Sequence, residues 1–523
     1  MDHPIVIVKW TGRHATALKQ ALRMSSEAFA ERLGVGARTV AQWSREPDII
    51  PATVMQAALD RLLSRSDDAA QTRFELMVYG RSSRATATAD TAATDLTTDG
   101  LLDWVDNHAS WPPGTARSQL LGQLAEMTPL AARQKAAQRA QIARSSVAAS
   151  INAIYRPLRG QHHLYVGRFG TTTAATSILT SPQWTELAVP LGTAHDWLTT
   201  TSDPSPPIPL LDDTTAAAAV RRIAESINVR TRIFDAPLYC LTRIDISPDS
   251  ISGGLRLAHF ADYALTFDLL ETELVDAIIS ADGDLRWSQL PLRKHHLPSV
   301  EHAINLHDRL CAGGPLALLA IARPPTRGHG PDYAIIVQQR SGHVLNATGR
   351  LAVIPKAFHQ PLSDFSDDAQ LSVTLERELE EELLGRDELQ PAREPAQHLA
   401  PLHHTRLSPP MRWLVERAST DAWRTECTGF GLNLVNGNYE FACLIAIEDE
   451  QWWTSFGGHL ITNWEAEGIR IYSSLDTAGI SALINDERWS NEGLFAFLQG
   501  IRRLAHTGGQ RVNLPPTEPE YGQ

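Results

Sequence analysis

A stretch of twenty residues with almost no hydrophobic side chains divides this chain into a short part and a long part. Residues 81–100 read RSSRATATADTAATDLTTDG and contain one large apolar residue, Leu96. Such a segment cannot bury enough apolar surface to offset the entropy lost on ordering, and its composition is typical of flexible linkers. It predicts at least two separately folded regions, residues 1–80 and the chain beyond residue 100.

The length of the chain limits the number of domains, and its charge limits where nucleic acid could bind. A chain of 523 residues has room for two to four domains of about 100–200 residues each. With 47 Lys and Arg against 60 Asp and Glu, the formal net charge is −13, which excludes a protein that coats nucleic acid through bulk positive charge. Residues 1–65 carry nine Lys and Arg against six Asp and Glu, a local charge of +3. Any contact with nucleic acid is therefore expected there.

Cysteine usage and hydropathy favour a cytoplasmic protein that does not bind a membrane. The four cysteines, Cys240, Cys311, Cys427 and Cys443, stand far apart and form no CxxC or Cys/His pattern. This predicts neither a disulfide framework nor a zinc finger. The longest apolar stretch, PLALLAIA at 315–322, falls far short of the ~20 residues of a membrane-spanning helix. The N-terminus also lacks the pattern of a secretory signal.

Three short helices and a turn are predicted before residue 46. The first ends near Met24, the second follows the N-capping pair Ser25-Ser26, and the third spans 38–44 after the turn Gly34-Val35-Gly36. The apolar positions that recur at helical spacing are Leu18, Ala21, Leu22, Phe29, Ala30, Leu33, Val40 and Trp43. A further amphipathic helix is predicted over 51–63.

The segment SSEAFAERLGVGARTVAQWSRE resembles the helix-turn-helix of the XRE (Cro/repressor-type) family, with Ala30, Gly34, Val40 and Trp43 at the framework positions. A small residue at Ala30 lets two helices approach closely, and Gly34 tolerates a positive φ at the turn. The resemblance implies DNA binding by the third helix in the major groove. Because one such unit reads only a few base pairs, we expect a homodimer.

The outward positions of the third helix are the expected DNA contacts: Ala37, Arg38, Thr39, Gln42 and Arg45. Arg38 suits guanine and Gln42 suits adenine, whereas Arg13, Lys19 and Arg45 suit phosphates. A four-helix packing module without DNA contact is the alternative.

The centre of the chain resembles no known family. Residues 101–157 are rich in alanine and predict a helical segment. Its basic residues Arg133, Lys135, Arg139 and Arg144 either extend a basic surface or lie on a solvated helix face, and we favour the second interpretation. Residues 158–310 alternate short β-like runs with helical stretches, which predicts an α+β domain.

An acidic helix is predicted late in the chain. Strands at 333–339 and 351–355 and a long loop precede the sequence VTLERELEEELLG at 373–385. Helical spacing places three leucines on one face and Glu378, Glu381 and Glu382 on another. Because like charges repel at this spacing, either water solvates the carboxylates or they hold a divalent cation.

This order of elements, with RELEEELLG after the loop, resembles the Nudix hydrolase box. The matching residues are Arg377, Glu378, Glu381 and Glu382. The resemblance implies an α/β/α Nudix-like fold, catalysis through Glu378 and Glu381, and Mg²⁺ bound by Glu378, Glu381 and Glu382, which Arg377 braces. Upstream the chain departs from the box, with Lys356-Ala357 in place of Gly-Gly and Ala369 in place of a glutamate. Because metal positioning needs a full ligand set, the resemblance supports the fold more than the catalysis.

We therefore expect a multidomain protein. Its parts are an all-α helix-turn-helix N-terminal domain (1–80), a linker (81–100), a helical region (101–157), an α+β middle domain (158–310), an α/β/α Nudix-like C-terminal domain (311–505) and a tail (506–523). The leading hypothesis is a bacterial-type transcriptional regulator whose C-terminal domain senses a nucleotide or nucleoside-diphosphate ligand. The alternatives are a Mg²⁺-dependent hydrolase of a nucleoside diphosphate derivative with a helix-turn-helix tether, and an interaction scaffold.

Overall fold

The structure is a computed structural model that describes two compact units, Met1–Thr91 and Ala92–Gln523. Described are residues 10–520 except 23, 25, 34, 46–48, 52, 65, 67–69, 71–73, 75–97, 159, 193–194, 202–209, 230, 232, 234, 282, 342–348, 362–364, 385–406, 419, 458–459 and 461–465. Most of the predicted linker lies outside the described residues, and residues 98–100 already belong to a helix.

The N-terminal unit contains helices α1 Gly12–Ala21, α2 Ser26–Leu33, α3 Ala37–Arg45 and α4 Thr53–Ser64. The chain turns between α2 and α3 where the Val35 amide donates to the Ala30 carbonyl at 2.9 Å. The apolar faces form one core around Trp10, Leu18, Phe29, Val40, Trp43, Leu59 and Leu63. The helical character predicted for this region is confirmed.

The C-terminal unit begins with helices α5 Thr98–His108, α6 Thr115–Glu126, α7 Pro129–Ala140 and α8 Arg144–Tyr155. Helix α7 begins at Pro129 because the Thr128 hydroxyl accepts from the Ala131 amide and proline suits the first turn of a helix. The later helices are α9 Asp213–Val229, α10 Phe260–Ala264, α11 Leu269–Ser280, α12 Pro291–His296, α13 Val300–Ile304, α14 Leu371–Leu383, α15 Pro409–Glu416, α16 Glu450–Phe456, α17 Thr477–Ile484 and α18 Asn491–Thr507.

A ten-stranded mixed sheet forms the centre of this unit within the described residues, in the order β12-β8-β7-β11-β10-β2-β1-β13, with β3 beside β10 and β9 beside β8. Its strands are β1 His163–Phe169, β2 Thr172–Thr180, β3 Val189–Pro190, β7 Gly313–Arg323, β8 Asp332–Arg340, β9 Leu351–Val353, β10 Trp423–Asn433, β11 Tyr439–Ile447, β12 Ala466–Ser473 and β13 Thr517–Glu520. A smaller sheet is ordered β4-β6-β5, with β4 Asp196–Thr200, β5 Pro237–Ser247 and β6 Ser250–His259.

The large sheet crosses two of the predicted domain boundaries, those at residues 310 and 505. Leu432 in β10 pairs with Leu179 in β2, so strands from both sides of residue 310 share one sheet. Phe169 in β1 pairs with Thr517 in β13, so part of the predicted tail is a strand of the same sheet. Residues 158–310 and 311–505 are therefore parts of one compact unit.

Helices cover both faces of the large sheet. Strand β7 is buried along nearly its whole length, as expected for a strand with two covered faces. Its alternate residues enter two cores: Leu319 lies with Leu375 of α14, whereas Leu318 lies with Phe495 of α18. The acidic helix α14 and the C-terminal helix α18 thus lie on opposite faces of the sheet, in a helix–sheet–helix arrangement. No helix within the described residues is long and apolar enough to cross a membrane.

Candidate functional sites

Helix α3 presents a polar stripe to solvent. Arg38, Gln42 and Arg45 are exposed and follow one another at helical spacing, while Val40 and Trp43 on the other side are 2% and 3% exposed. Thr39 is half-buried. Ala37 is the first residue of α3. The structure therefore brings three of the predicted DNA contacts onto one surface.

Hydrogen bonds tie the ends of α3 and α1 to their neighbours. The hydroxyls of Thr16 in α1 and Ser44 in α3 lie 3.3 Å apart, and the Lys19 ammonium donates to the Ser26 hydroxyl at 3.1 Å. The Arg45 side chain donates from Nε to the Ala41 carbonyl at 3.3 Å. Arg13 is exposed on α1. Lys19 thus joins α1 to the start of α2, a contact that the phosphate assignment did not anticipate.

The acidic helix α14 is capped by a residue from the small sheet. Asp196 in β4 is 2% exposed, and its Oδ2 accepts from the Leu371 amide at 2.6 Å and the Ser372 amide at 3.4 Å. A carboxylate at a helix N-terminus satisfies backbone donors that lack a helical partner. Burial nevertheless raises the pKa of Asp196 to about 6, because desolvation outweighs these hydrogen bonds.

The carboxylates of α14 accept hydrogen bonds from the protein itself. Glu378 pairs with Arg377 at 3.0 Å, and Arg377 also donates to the Gln360 carbonyl at 3.1 Å. Glu380 accepts from the amide and the hydroxyl of Ser408, at 2.6 Å and 2.7 Å. The predicted bracing of Glu378 by Arg377 is therefore seen in the geometry.

Burial contradicts one of the two alternatives for the acidic face, solvation by water, for two of its carboxylates. Glu381 and Glu382 are 6% and 1% exposed, and Glu382 accepts from the Lys356 amide at 3.0 Å. Among the residues that the structure describes, no group of three or more His, Cys, Asp or Glu side chains is arranged to hold a metal ion. One oxygen of Glu378 accepts from Arg377, and one oxygen of Glu382 accepts from the Lys356 amide, so two of the three carboxylates that the resemblance assigns to Mg²⁺ already have a protein partner.

A buried ionic cluster surrounds the side chain of Lys356. Its ammonium donates to Glu492 Oε1 at 2.5 Å, and Glu492 Oε2 accepts from Asn433 at 3.4 Å. The lysine lowers the pKa of Glu492 against the effect of burial. Burial and the charge of Glu492 raise the pKa of Glu440 well above its usual range. One lysine thus links the backbone contact of Glu382 to a set of buried carboxylates.

A small cavity of about 30 Å³ adjoins this cluster. Its polar lining includes Arg144 of α8, Glu271 of α11, Arg350, and Ser490, Asn491 and Glu492 at the start of α18. The residues come from segments more than 300 positions apart, so no local motif could reveal the cavity. The one signal in the sequence was Arg144, which stands at the end of the basic run 131–144.

The rest of that basic run makes ion pairs within the unit. Arg139 pairs with Glu225 at 2.9 Å and with Asp276 at 2.7 Å, and Lys135 pairs with Asp276 at 2.9 Å. Arg133 is exposed. Lys135 and Arg139 therefore help to hold α7 against α9 and α11, and Arg144 differs from them because it is buried at the cavity.

Comparison with known proteins gives no relative: no protein-family model matches the chain, and no curated protein matches it.

Proposed function

We propose that this protein is a DNA-binding transcriptional regulator whose N-terminal unit reads DNA with α3. The observation that carries the proposal is the stripe of Arg38, Gln42 and Arg45, which is exposed although the same helix buries Val40 and Trp43. A polar helix face built from arginine and glutamine matches the hydrogen-bonding edges of guanine and adenine in the major groove.

The N-terminal unit contributes one proposed recognition helix, α3. A single recognition helix contacts only a few base pairs, so useful specificity needs two copies on neighbouring half-sites. We therefore propose that the protein binds DNA as a homodimer and that the bound sequence is a palindrome.

The larger unit supplies the regulatory part of the proposal. Its helix–sheet–helix layers and the Arg377–Glu378 pair on α14 support a Nudix-like unit that binds a nucleotide or nucleoside diphosphate. The engagement of Glu380 by Ser408 and of Glu382 by the Lys356 amide favours sensing over turnover. Ligand binding would change DNA affinity through a coupling free energy between the two units.

A second function is supported by the same Arg377–Glu378 pair. In a Mg²⁺-dependent hydrolase of a nucleoside diphosphate derivative, Glu378, Glu381 and Glu382 would be the metal ligands. Glu381→Gln would then abolish phosphate release from nucleoside diphosphate derivatives in the presence of Mg²⁺. A regulator without hydrolase activity predicts no release by either protein.

The DNA-binding proposal is tested by mobility shift with a duplex that the wild type has selected from a random library, over a series of salt concentrations. We expect Arg38→Ala/Gln42→Ala to bind at least tenfold more weakly than the wild type, because both changes remove donors from the groove-facing stripe. Arg133→Ala, an exposed arginine of the other unit, is the matched control and should bind normally. Equal affinities for all three proteins would refute the role of α3.

A further inference from the structure

Two buried arginines line the cavity beside α18, and both have hydrogen-bonding capacity to spare. Arg144 is 4% exposed; its Nη1 donates to the Ala175 carbonyl and its Nη2 lies 3.7 Å from Glu487 Oε1. Its Nε has no hydrogen-bond partner among the described residues. Arg350 is 9% exposed and donates from Nη1 to the Glu487 carbonyl at a long 3.4 Å.

The start of α18 adds a positive end to the same cavity. This helix has 17 residues, and the Ser490 hydroxyl caps it by accepting from the Gly493 amide at 3.1 Å. Ser490, Asn491 and Glu492 all line the cavity. The helix dipole therefore favours negative charge where the two arginines meet the first turn.

The carboxylates around the cavity do not cancel its positive charge. Glu492 is paired with Lys356 at 2.5 Å, and the Glu487 side chain is 47% exposed and lies 3.7 Å from Arg144. Glu271 lines the cavity, and burial together with the charge of Glu492 raises its pKa to about 7. Glu271 therefore keeps a proton at higher pH than an ordinary glutamate, and the protonated carboxyl can donate a hydrogen bond.

We propose that this cavity is a binding site for one tetrahedral oxyanion, a sulfate-like or phosphate-like group held by Arg144, Arg350 and the N-terminus of α18. The ligand oxygens would accept from Arg144 Nε and from the Arg350 guanidinium. The protonated Glu271 carboxyl would donate to a third oxygen. The volume of about 30 Å³ is room for about two water molecules, or for one such group in their place. The site is separate from the proposed DNA-binding surface and does not depend on it.

The first test is isothermal titration calorimetry of the full-length protein with sodium sulfate at pH 6. We expect one site, and we expect Arg144→Gln and Arg350→Gln each to weaken its affinity at least tenfold. Arg133→Gln changes an exposed arginine that does not line the cavity. This variant should bind sulfate as the wild type does. No sulfate binding by the wild type at 10 mM, or equal weakening by Arg133→Gln, would overturn the proposal.

The pH dependence supplies a test that does not need the buried arginines to be changed. The groups that act on Glu271 are Arg350, Lys356, Glu492 and Asp268. Sulfate does not titrate between pH 6 and 8.5, so its affinity should fall as Glu271 loses its proton, approaching tenfold per pH unit above pH 7. Glu271→Gln should bind sulfate with a flat profile over this range. A wild-type profile as flat as that of Glu271→Gln would contradict the proposed contact, even if the arginine variants fail to fold.

Inorganic phosphate and adenosine monophosphate distinguish the source of the oxyanion. Both should compete with sulfate for the same site. Tighter binding of the nucleotide would assign the site to a phosphate group carried on a larger ligand, and tighter binding of inorganic phosphate would assign it to the free anion. Failure of both to displace sulfate would count against a phosphate-type site.

Discussion

Helices α3 and α14 both carry polar residues in patterns that resemble known families, yet the polar residues of α3 are exposed and those of α14 are mostly buried. On α3, Arg38, Gln42 and Arg45 are exposed. On α14, Glu381 and Glu382 are buried, and Glu380 and Glu382 accept hydrogen bonds from Ser408 and Lys356. The polar side chains of α3 are exposed to solvent, whereas the buried helix α14 uses acceptors to bond with its own unit.

A motif therefore predicts chemistry only if its side chains remain available to a ligand. A buried carboxylate must be paired or hydrogen-bonded to be tolerated at all. On α14, both oxygens of Glu380 accept from Ser408, and one oxygen of Glu382 accepts from the Lys356 amide. Variants that remove these partners should therefore affect the stability of the C-terminal unit, whereas variants on α3 should affect DNA binding.

The largest expected effect follows from removing the charge of Lys356, whose backbone amide donates to Glu382 of α14. Lys356→Met should destabilise the C-terminal unit by about 3–5 kcal/mol, because it leaves Glu492 buried without its cation. Urea denaturation followed by far-ultraviolet circular dichroism measures the change. The double variant Lys356→Met/Glu492→Gln is the control and should recover part of the loss. A loss below about 1 kcal/mol for Lys356→Met would show that the cluster is not an internal support.

The cap of α14 gives a pH-dependent effect. Because the pKa of Asp196 rises from 3.8 to about 6 in the folded protein, the native state binds more protons than the unfolded state between those values. The contribution of Asp196 to the free energy of unfolding therefore falls by up to about 3 kcal/mol as the pH rises from about 4 to about 6. Above pH 6 it is constant.

Asp196→Asn should remove this decline while its amide oxygen still accepts from the Leu371 amide. The measurement is the difference in free energy of unfolding between wild type and variant at pH 4.5 and pH 7. Relative to wild type, the variant should gain stability at the higher pH. An identical difference at both pH values would contradict the assignment of the raised pKa to this cap.

A smaller effect is expected at Glu380. Glu380→Gln replaces one of the two oxygens that accept from Ser408 with a donor, which should cost about 1–2 kcal/mol. Glu416→Gln, on the exposed surface of α15, is the matched control and should change stability little. Equal effects in the two variants, measured by urea denaturation, would mean that α14 does not depend on its buried acceptors.

The smallest effect is expected at the end of α3. Arg45→Ala should weaken DNA binding a few-fold on every sequence and lower the slope of log affinity against log salt by about 1, as for the loss of one phosphate contact. Affinities for a selected site and for mixed-sequence DNA, compared over a salt series, measure both quantities. A loss confined to the selected site would instead indicate that Arg45 contacts a base.

Local features of this fold could be predicted from the sequence, and long-range ones could not. The turn between α2 and α3 and the apolar face of α3 depend on neighbours in the chain, so periodicity and turn residues indicate them. The pairing of Leu179 with Leu432 and the capping of Leu371 by Asp196 join residues 253 and 175 positions apart. No local pattern encodes such pairs, so the predicted boundary at residue 310 fell within a sheet.

The candidate sites follow the same division. The α3 stripe could be named residue by residue, because one helix carries all of it. The burial of Glu381 and Glu382 could not, since it depends on residues brought from other segments, as the Lys356 contact to Glu382 shows. The arginine cavity was missed for the same reason: Arg144, Glu271, Arg350 and Glu492 meet only in the folded unit.

The most direct test of the account is selection of bound sequences from a random duplex library by the purified full-length protein, with Arg38→Ala/Gln42→Ala in parallel. The wild type should enrich a short palindrome, as a dimer with two recognition helices requires, and the double variant should not. Enrichment of the same palindrome by both proteins, or of no sequence by the wild type at low salt, would contradict it.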